Sequence, residues 1–150
     1  PWPIIRLADL YLLYAEALNE TGQTGEALPY LDLIRERAGL PSVEQSWQQH
    51  AKNPDKYTTQ AGLRDIIRRE RLIELAFEGS RFWDLRRWKE AGTKLNEPIY
   101  GWNILGEDAA SYNRRVHLFD QRFVGPRDYF WPISDNSLIV NPNLVQNPGW

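Results

Sequence analysis

Three glutamates, Glu70, Glu74 and Glu78, recur at four-residue spacing inside the stretch LRDIIRRERLIELAFEGSRFWDLRRW, Leu63 to Trp88. Arg64, Arg68, Arg69, Arg71, Arg81, Arg86 and Arg87 surround them. Two chemistries fit acids placed in this way. Two carboxyls about 5 to 9 Å apart in a cleft, in unequal environments, perform acid and base catalysis. Carboxylates interleaved with arginines along a helix instead form ion pairs that hold structure. The second reading is favoured here, because the acids alternate with bases and no isolated acid pair stands out. Glu78 with Arg81, Arg81 with Asp84 and Asp84 with Arg87 lie three residues apart and form a ladder if the chain is helical. Glu70, Glu74, Glu78, Arg81, Asp84 and Arg87 are therefore expected to form a structural ion-pair network, with counter-ions drawn from the same stretch.

Other reactive constellations are missing. No serine stands in a GxSxG elbow, and neither GxxxxGK[ST], GxGxxG nor a DxDxDG calcium loop occurs. The chain has no cysteine, which removes disulfides, thiol catalysis and thiolate metal sites. His50 and His117 are too few and too far apart for a histidine metal site. No metal, no cofactor and no enzyme activity are expected. What remains is aromatic chemistry. Seven tryptophans in 150 residues is a high content, and indole needs either a core or a partner to cover it. Trp47 and Tyr57 fall in one polar stretch, and Tyr100, Trp102 and Tyr112 in another. Each group either packs or offers a ring on which the C–H face of a sugar stacks, with Gln48, Gln49 and Asn53 at hand for hydroxyls near the first.

The elements that carry these residues are mostly helical. Residues 1–6, PWPIIR, read as an extended lead-in because Pro1 and Pro3 disfavour helix. Leu7 to Thr21 reads as a helix closed by Gly22, and Glu26 to Ala38 as a second closed by Gly39. The short turn between them makes the pair antiparallel. Tyr11, Tyr14, Ala15, Leu18, Ala27, Leu31 and Ile34 fall where a tetratricopeptide repeat places its packing residues, with Pro29 tolerated in the second helix's first turn. Leu40 to Thr59 reads as a loop. Thr58 or Thr59 then caps a central helix from about Gln60, whose apolar stripe runs Leu63, Ile66, Ile67, Ile73 and Phe77. Gly79 supplies a left-handed corner, and Ser80 opens a second helix carrying Phe82, Trp83, Leu85, Arg86 and Trp88 as far as Gly92.

Beyond Gly92 the character changes. Ile99 to Leu105 and Arg115 to Phe123 are rich in β-branched and aromatic residues and flank the polar Gly106 to Arg114, which predicts a small hairpin. Pro126 to Pro132 reads as extended, Asp135 to Ile139 as a helical turn, and the Asn-Pro pairs at 141 and 147 as turns. The expected fold is mainly α: a tetratricopeptide-like helical hairpin, a bent central helix pair, and a loop-rich C-terminal half with short strands.

ERLIELAFEGSRFWDLRRW, Glu70 to Trp88, resembles the signature of the C-terminal region of SusD/RagB proteins, the surface nutrient-binding lipoproteins of Bacteroidetes. YFWP at Tyr129 to Pro132, Asn141-Pro142 and the closing Gln146, Asn147, Pro148, Gly149 and Trp150 resemble the way those proteins end. With the opening helix the match covers almost the whole chain. The resemblance implies capture of oligosaccharide or polysaccharide at the outward face of the outer membrane and delivery to a SusC-like TonB-dependent transporter. It also implies that residues 1–150 are one domain of a longer protein whose signal peptide, lipid anchor and helical repeats lie upstream, since no methionine opens this chain. Glycan sites in that family share no motif, so Trp47, Tyr57, Tyr100, Trp102 and Tyr112 are candidates on residue type and loop position alone.

Composition limits the alternatives. A net charge of -2 and a pI near 5.7 give no general attraction to nucleic acid, and no apolar run approaches the roughly 18 residues of a membrane span. Membrane attachment is expected only through a lipid anchor absent from this chain. The competing reading is a soluble tetratricopeptide-like adaptor that binds a protein partner through the concave face of its helical hairpin.

Overall fold

The computed structural model describes residues 5–150. Residues 1–4 of the expected lead-in lie outside that part, and Arg6 is extended at φ -106° and ψ 150°. Although the length is that of one domain, the contacts divide the chain into two compact units, Pro1–Arg81 and Phe82–Trp150. The described residues hold eight α-helices and one two-stranded sheet, so the fold is mainly α as expected.

The first unit is built on α1 (Leu7–Glu20) and α2 (Thr24–Arg37), joined by a tight turn. Each ends in a left-handed glycine, Gly22 at φ +85° and Gly39 at φ +72°. In both, the glycine N–H and the next N–H fold back onto the last turn: Gly22 to the Asn19 carbonyl and Gln23 to that of Leu18, Gly39 to Glu36 and Leu40 to Arg35. These are Schellman closures, which satisfy carbonyls that a helix end leaves open. Ala15 and Ala27 are fully buried beside Leu12, Leu18, Leu31 and Ile34. The α4 helix (Gln60–Glu74) completes the core with Leu63, Ile66 and Ile67, and Thr59 caps it by accepting from the Gly62 N–H. Each fully buried Leu or Ile contributes about 1.5–3 kcal/mol relative to exposure. One polar group sits among them. Asn19, fully buried, donates to the Gln60 carbonyl and accepts from the Thr24 hydroxyl, so all three helix ends meet at one amide.

Several boundaries differ from expectation. Because α2 begins at Thr24, Pro29 lies in its second turn rather than its first; Gly25, whose carbonyl the missing N–H would have met, is exposed. The stretch expected as a loop after Leu40 contains α3 (Val43–His50) and a 3-10 turn at Lys56–Thr58. Ser42 caps α3 by accepting from Gln45, and the Val43 N–H donates to Asp32 at 2.8 Å. The central helix stops at Glu74, so Phe77 is not on its stripe: it is left-handed at φ 66° and fully exposed. Ile73 is also largely exposed, and the buried face continues through Arg71 and Leu75 instead. Gly79 has the left-handed conformation expected of it, at φ +80°. The next helix, α5 (Ser80–Arg87), ends five residues short of Gly92 in a third Schellman closure, in which Lys89 takes the left-handed position at φ 61°.

In the second unit α6 (Ala91–Lys94) leads into β1 (Pro98–Trp102), then α7 (Ala109–Tyr112) and β2 (Arg115–Asp120). The strands pair antiparallel as a hairpin, with an irregularity between Ile99 and Tyr100 that leaves Leu118 as the extra residue. Asp108 and Ser111 form a reciprocal capping box at the start of α7, which tightens the connection. A small core gathers Leu85, Ala91 and Phe123 with Leu95 and Tyr129. Where an extended segment was expected, Gly125-Pro126 is cis and Arg127–Tyr129 is a 3-10 turn. Asp128 fixes that turn by accepting from Arg127 Nε and from the Val124 N–H, and these bonds, the first above all, hold its carboxyl below the usual range. The short α8 (Asp135–Val140) follows, capped by Ser134.

Two outcomes follow from this geometry. A Cβ on Gly62 would collide with the Lys56 backbone carbonyl, whereas one on Gly79 meets nothing and suffers only the left-handed strain, about 1 kcal/mol. Gly62→Ala should therefore lower the urea midpoint further than Gly79→Ala; equal midpoints would contradict the packing at Lys56. Glu20 accepts from both Nε and Nη2 of Arg64, which holds its carboxyl below the ordinary glutamate value. A depressed pKa contributes stability at neutral pH that is lost as pH falls through the folded value. Urea midpoints measured from neutral to acid pH should fall less for Glu20→Gln than for the parent.

Candidate functional site

The acids of the central stretch are committed to arginines, but not to those beside them in sequence. Glu70 accepts from Arg35 Nη1, while the same guanidinium donates to the Pro41 carbonyl at 2.8 Å and to Ser46 Oγ at 2.7 Å. Glu74 accepts from Arg6 at 2.9 Å and from Arg37 at 2.7 Å. Glu78 accepts from Arg6 Nε at 2.9 Å and Nη2 at 2.7 Å. The bonds from Glu78 and Glu74 raise the Arg6 guanidinium further above its already high pKa. Arg71, almost wholly buried, reaches Asp9 at 2.9 Å. The counter-ions thus come largely from α2 and the start of α1. Of the expected ladder, Asp84–Arg87 forms at 2.9 Å. Glu78 turns to Arg6, and Arg81 makes neither of its two expected pairs among the described residues. The helix breaks between Glu74 and Ser80, so three-residue spacing no longer places Glu78 and Arg81 on one face; within α5, Asp84 pairs with Arg87.

The aromatic candidates divide between the units. Trp47 lies on α3, half-buried against the core, with Lys56 Nζ 5.7 Å from its ring centroid. Tyr57 is buried at 8% exposure; its hydroxyl donates to Glu44 at 3.2 Å and accepts from Gln48 at 3.0 Å. That pair covers the core of the first unit, and Gln48 is occupied with Tyr57.

Tyr100, Trp102 and Tyr112 are each exposed on the second unit. Tyr100 and Trp102 are two apart on β1 and so share a face. Across the hairpin His117 stands opposite Tyr100 and Arg115 opposite Trp102. The His117 ring meets Tyr100 edge-on at 5.6 Å, and the Arg115 guanidinium stacks over the Tyr100 ring at 3.9 Å. His117 Nε2 lies 2.8 Å from Asp120. Pro98, Ile99, Tyr100, Gly101, Trp102 and Arg115 line an open hollow of about 420 Å³. Tyr112 ends α7 and does not line it; its carbonyl accepts from the Asn103 N–H. The structure therefore gathers Tyr100 and Trp102, adds Arg115 and His117, and leaves Trp47 and Tyr57 in the other unit. Strand parity from Tyr100 and Trp102 was readable in the sequence. Which residues of β2 face them was not, because a twelve-residue connection and a bulge set the register.

A second aromatic group explains the signature itself. Arg86 lies 4.3 Å over the Phe82 ring, 5.5 Å over Trp131 and 5.8 Å over Phe123. The closing residues fasten the same region. Gln146 accepts from the Ile133 N–H and donates to the Ile133 carbonyl, both at 2.9 Å; Asn147 donates to the Trp131 carbonyl at 2.7 Å; the Trp150 indole donates to the Arg127 carbonyl at 3.1 Å. Side-chain amides here satisfy the backbone of a segment that belongs to no strand. Trp83, Arg86, Arg87, Lys89, Tyr129, Phe130 and Trp131 line a wide hollow of about 540 Å³.

Among the described residues no group of three or more His, Asp or Glu is placed to hold a metal ion, and no helix is long and apolar enough to cross a membrane.

Comparison with known proteins gives a consistent picture. The model of the SusD family matches residues 1–150. A SusD-like protein, P2, of Formosa agariphila is 36% identical over 148 residues, which is 97% of this chain and 25% of the relative. Among solved structures, a SusD-like carbohydrate-binding protein of Bacteroides fragilis superposes with a TM-score of 0.74 at 34% identity, over 95% of this chain and 28% of that one. A second SusD-like protein of Bacteroides fragilis gives a TM-score of 0.74 at 33% identity, over 99% and 26%. The chain spans about a quarter of the length of the relatives it matches.

The ion pairs predict a graded loss. The Glu74 side chain is 12% exposed and serves two guanidiniums, whereas that of Glu78 is 36% exposed and serves one. Glu74→Gln should cost about 1–3 kcal/mol in urea denaturation, and Glu78→Gln distinctly less. The reverse order would show that Arg6 is anchored chiefly through Glu78.

Proposed function

The chain belongs to the SusD family, and from that premise we propose that it is part of a glycan-capturing protein that holds oligosaccharide at the outer-membrane surface and delivers it to a SusC-like TonB-dependent transporter. The observation that carries the binding half of this reading is the hairpin face on which Tyr100 and Trp102 stand side by side, exposed, beside an open hollow. An indole or phenol face presented to solvent offers apolar surface to the C–H face of a pyranose while polar neighbours bond its hydroxyls. Trp47, half-buried on α3, is a secondary candidate. Tyr57 is the weakest, since a buried ring has no face to offer. Tyr112 is exposed near the hairpin and remains available at its edge.

Capture rather than turnover is supported by the acids. Glu70, Glu74 and Glu78 each bind a guanidinium, and groups so engaged serve structure. The adaptor reading loses its ground because the family match runs through the whole chain and not through the helical hairpin alone. Delivery to a transporter and the surface location rest on the family.

Titration calorimetry of the chain against a panel of oligosaccharides tests the reading. Trp102→Ala should weaken binding of whichever member binds by about tenfold or more, as loss of one aromatic anchor does at hot spots, with the circular dichroism unchanged. Undiminished affinity in Trp102→Ala would remove the hairpin face from the site.

A further inference from the structure

We propose that the hairpin face selects an acidic sugar, a uronate or a sulfate ester, with Arg115 as the residue that reads its charge; this rests on the glycan-binding reading of the same face. Arg115 is exposed on β2, directly across from Trp102. Directly opposed residues of an antiparallel pair have Cβ atoms about 4.5–5.5 Å apart, so a pyranose seated on the Trp102 indole carries its substituents within reach of that side chain. Its guanidinium carbon lies 3.9 Å from the Tyr100 ring centroid, a cation–π contact that uses no N–H as a hydrogen-bond donor.

The donors on its edge are unspent. Among the described residues Arg115 makes no ion pair and no side-chain hydrogen bond, unlike Arg6, Arg35, Arg37, Arg64 and Arg127, which are held by carboxylates; Arg69, Arg81, Arg114 and Arg122 share that state, but Arg115 is the one that lines the hollow. Two acids of the hairpin region are engaged elsewhere: Asp120 faces His117 at 2.8 Å, and Asp108 accepts from the Ser111 N–H at 2.7 Å; Glu97 and Glu107 do not line the hollow. A planar fork of N–H donors held in place without an acceptor matches two oxygens of a carboxylate or sulfate bidentately.

A neutral sugar fits less well. Its hydroxyls are donors as much as acceptors, and sites that read them supply carboxylate or amide oxygens. Here the side chains lining the hollow are Pro98, Ile99, Tyr100, Trp102 and Arg115, with no free carboxylate and no amide. The hollow of about 420 Å³ lies within the roughly 300–1,000 Å³ of small-ligand sites. An acidic ring stacked on Trp102 with its anion on Arg115 uses each group the face provides.

The test is calorimetry of the whole chain with three probe sets: oligogalacturonates and oligoalginates, sulfated carrageenan oligosaccharides, and neutral xylo-, cello- and malto-oligosaccharides. Acidic members should bind and neutral members should not, with affinity falling as salt rises. Arg115→Ala should weaken the acidic ligand about tenfold or more, and Arg115→Lys should recover only part of that, since an ammonium lacks the planar fork. Both variants alter an exposed side chain, and circular dichroism checks that they fold. Neutral oligosaccharides binding as tightly as acidic ones, or an acidic ligand indifferent to Arg115→Ala, overturns the inference while a loss in Trp102→Ala keeps the glycan-binding reading intact. If no probe of any set binds, both fall together.

Discussion

Burial of charge on the central helix is the constraint from which the first unit follows. The helix α4 packs Leu63, Ile66 and Ile67 into the core, and the same side of it carries Glu70, Arg71 and Glu74. A charge removed from water without a partner costs several kcal/mol, so this helix docks only where opposite charges wait for it. Among them are Arg35 and Arg37 at the end of α2, with Arg6 and Asp9 at the start of α1. The antiparallel hairpin brings those two ends together, because its tight turn at Gly22 lies at the opposite end. The small Ala15 and Ala27 allow α1 and α2 to approach, and α4 then closes both the apolar and the ionic contacts at once. Basic residues in the last turn of α2 also oppose the negative end of that helix.

Arg35 shows how far one side chain carries this arrangement. Its three nitrogens reach Glu70 on α4, the Pro41 carbonyl and Ser46 on α3. A stretch with almost no apolar period is thereby fixed in place. Val43 and Tyr57 are its buried apolar anchors, and Glu44, Gln48 and the Tyr57 hydroxyl form one hydrogen-bonded group over them.

The same contrast explains what the sequence made legible. Helices with an apolar face and a glycine stop were readable, α1 to within a residue and α2 to within two at its start, as were a threonine cap of α4 at 58 or 59 and the existence of the β1–β2 hairpin. The α3 helix was not, because eight residues with one buried apolar side chain carry no periodic signal, and its polar contacts are tertiary. Phe77 was misplaced for a different reason. Its spacing continues the helical stripe, but the helix ends at Glu74, and an exposed phenylalanine in a left-handed position breaks two local preferences together. Lys89 shows the opposite failure: a Schellman closure formed without the glycine by which such an end is recognised. At the candidate site residue type and loop position pointed to Tyr100 and Trp102 along with Trp47, Tyr57 and Tyr112, while the partners Arg115 and His117 depended on register, which is a tertiary quantity.

The residues that carry the family resemblance and those proposed to bind are physically separate kinds of position. Arg86, Gln146, Asn147 and Trp150 are engaged with ring faces or backbone groups, so replacing any of them leaves a polar or aromatic partner unmatched. Tyr100, Trp102 and Arg115 stand on an exposed strand face, where substitution removes little buried area and disturbs no carbonyl or N–H. A two-stranded hairpin is marginal on its own, and the stack of Arg115 on Tyr100 and the His117–Asp120 pair stiffen the face without filling its hollow. Side chains on this face can therefore change while the scaffold stays fixed, and among the residues lining the hollow position 115 alone presents a cation.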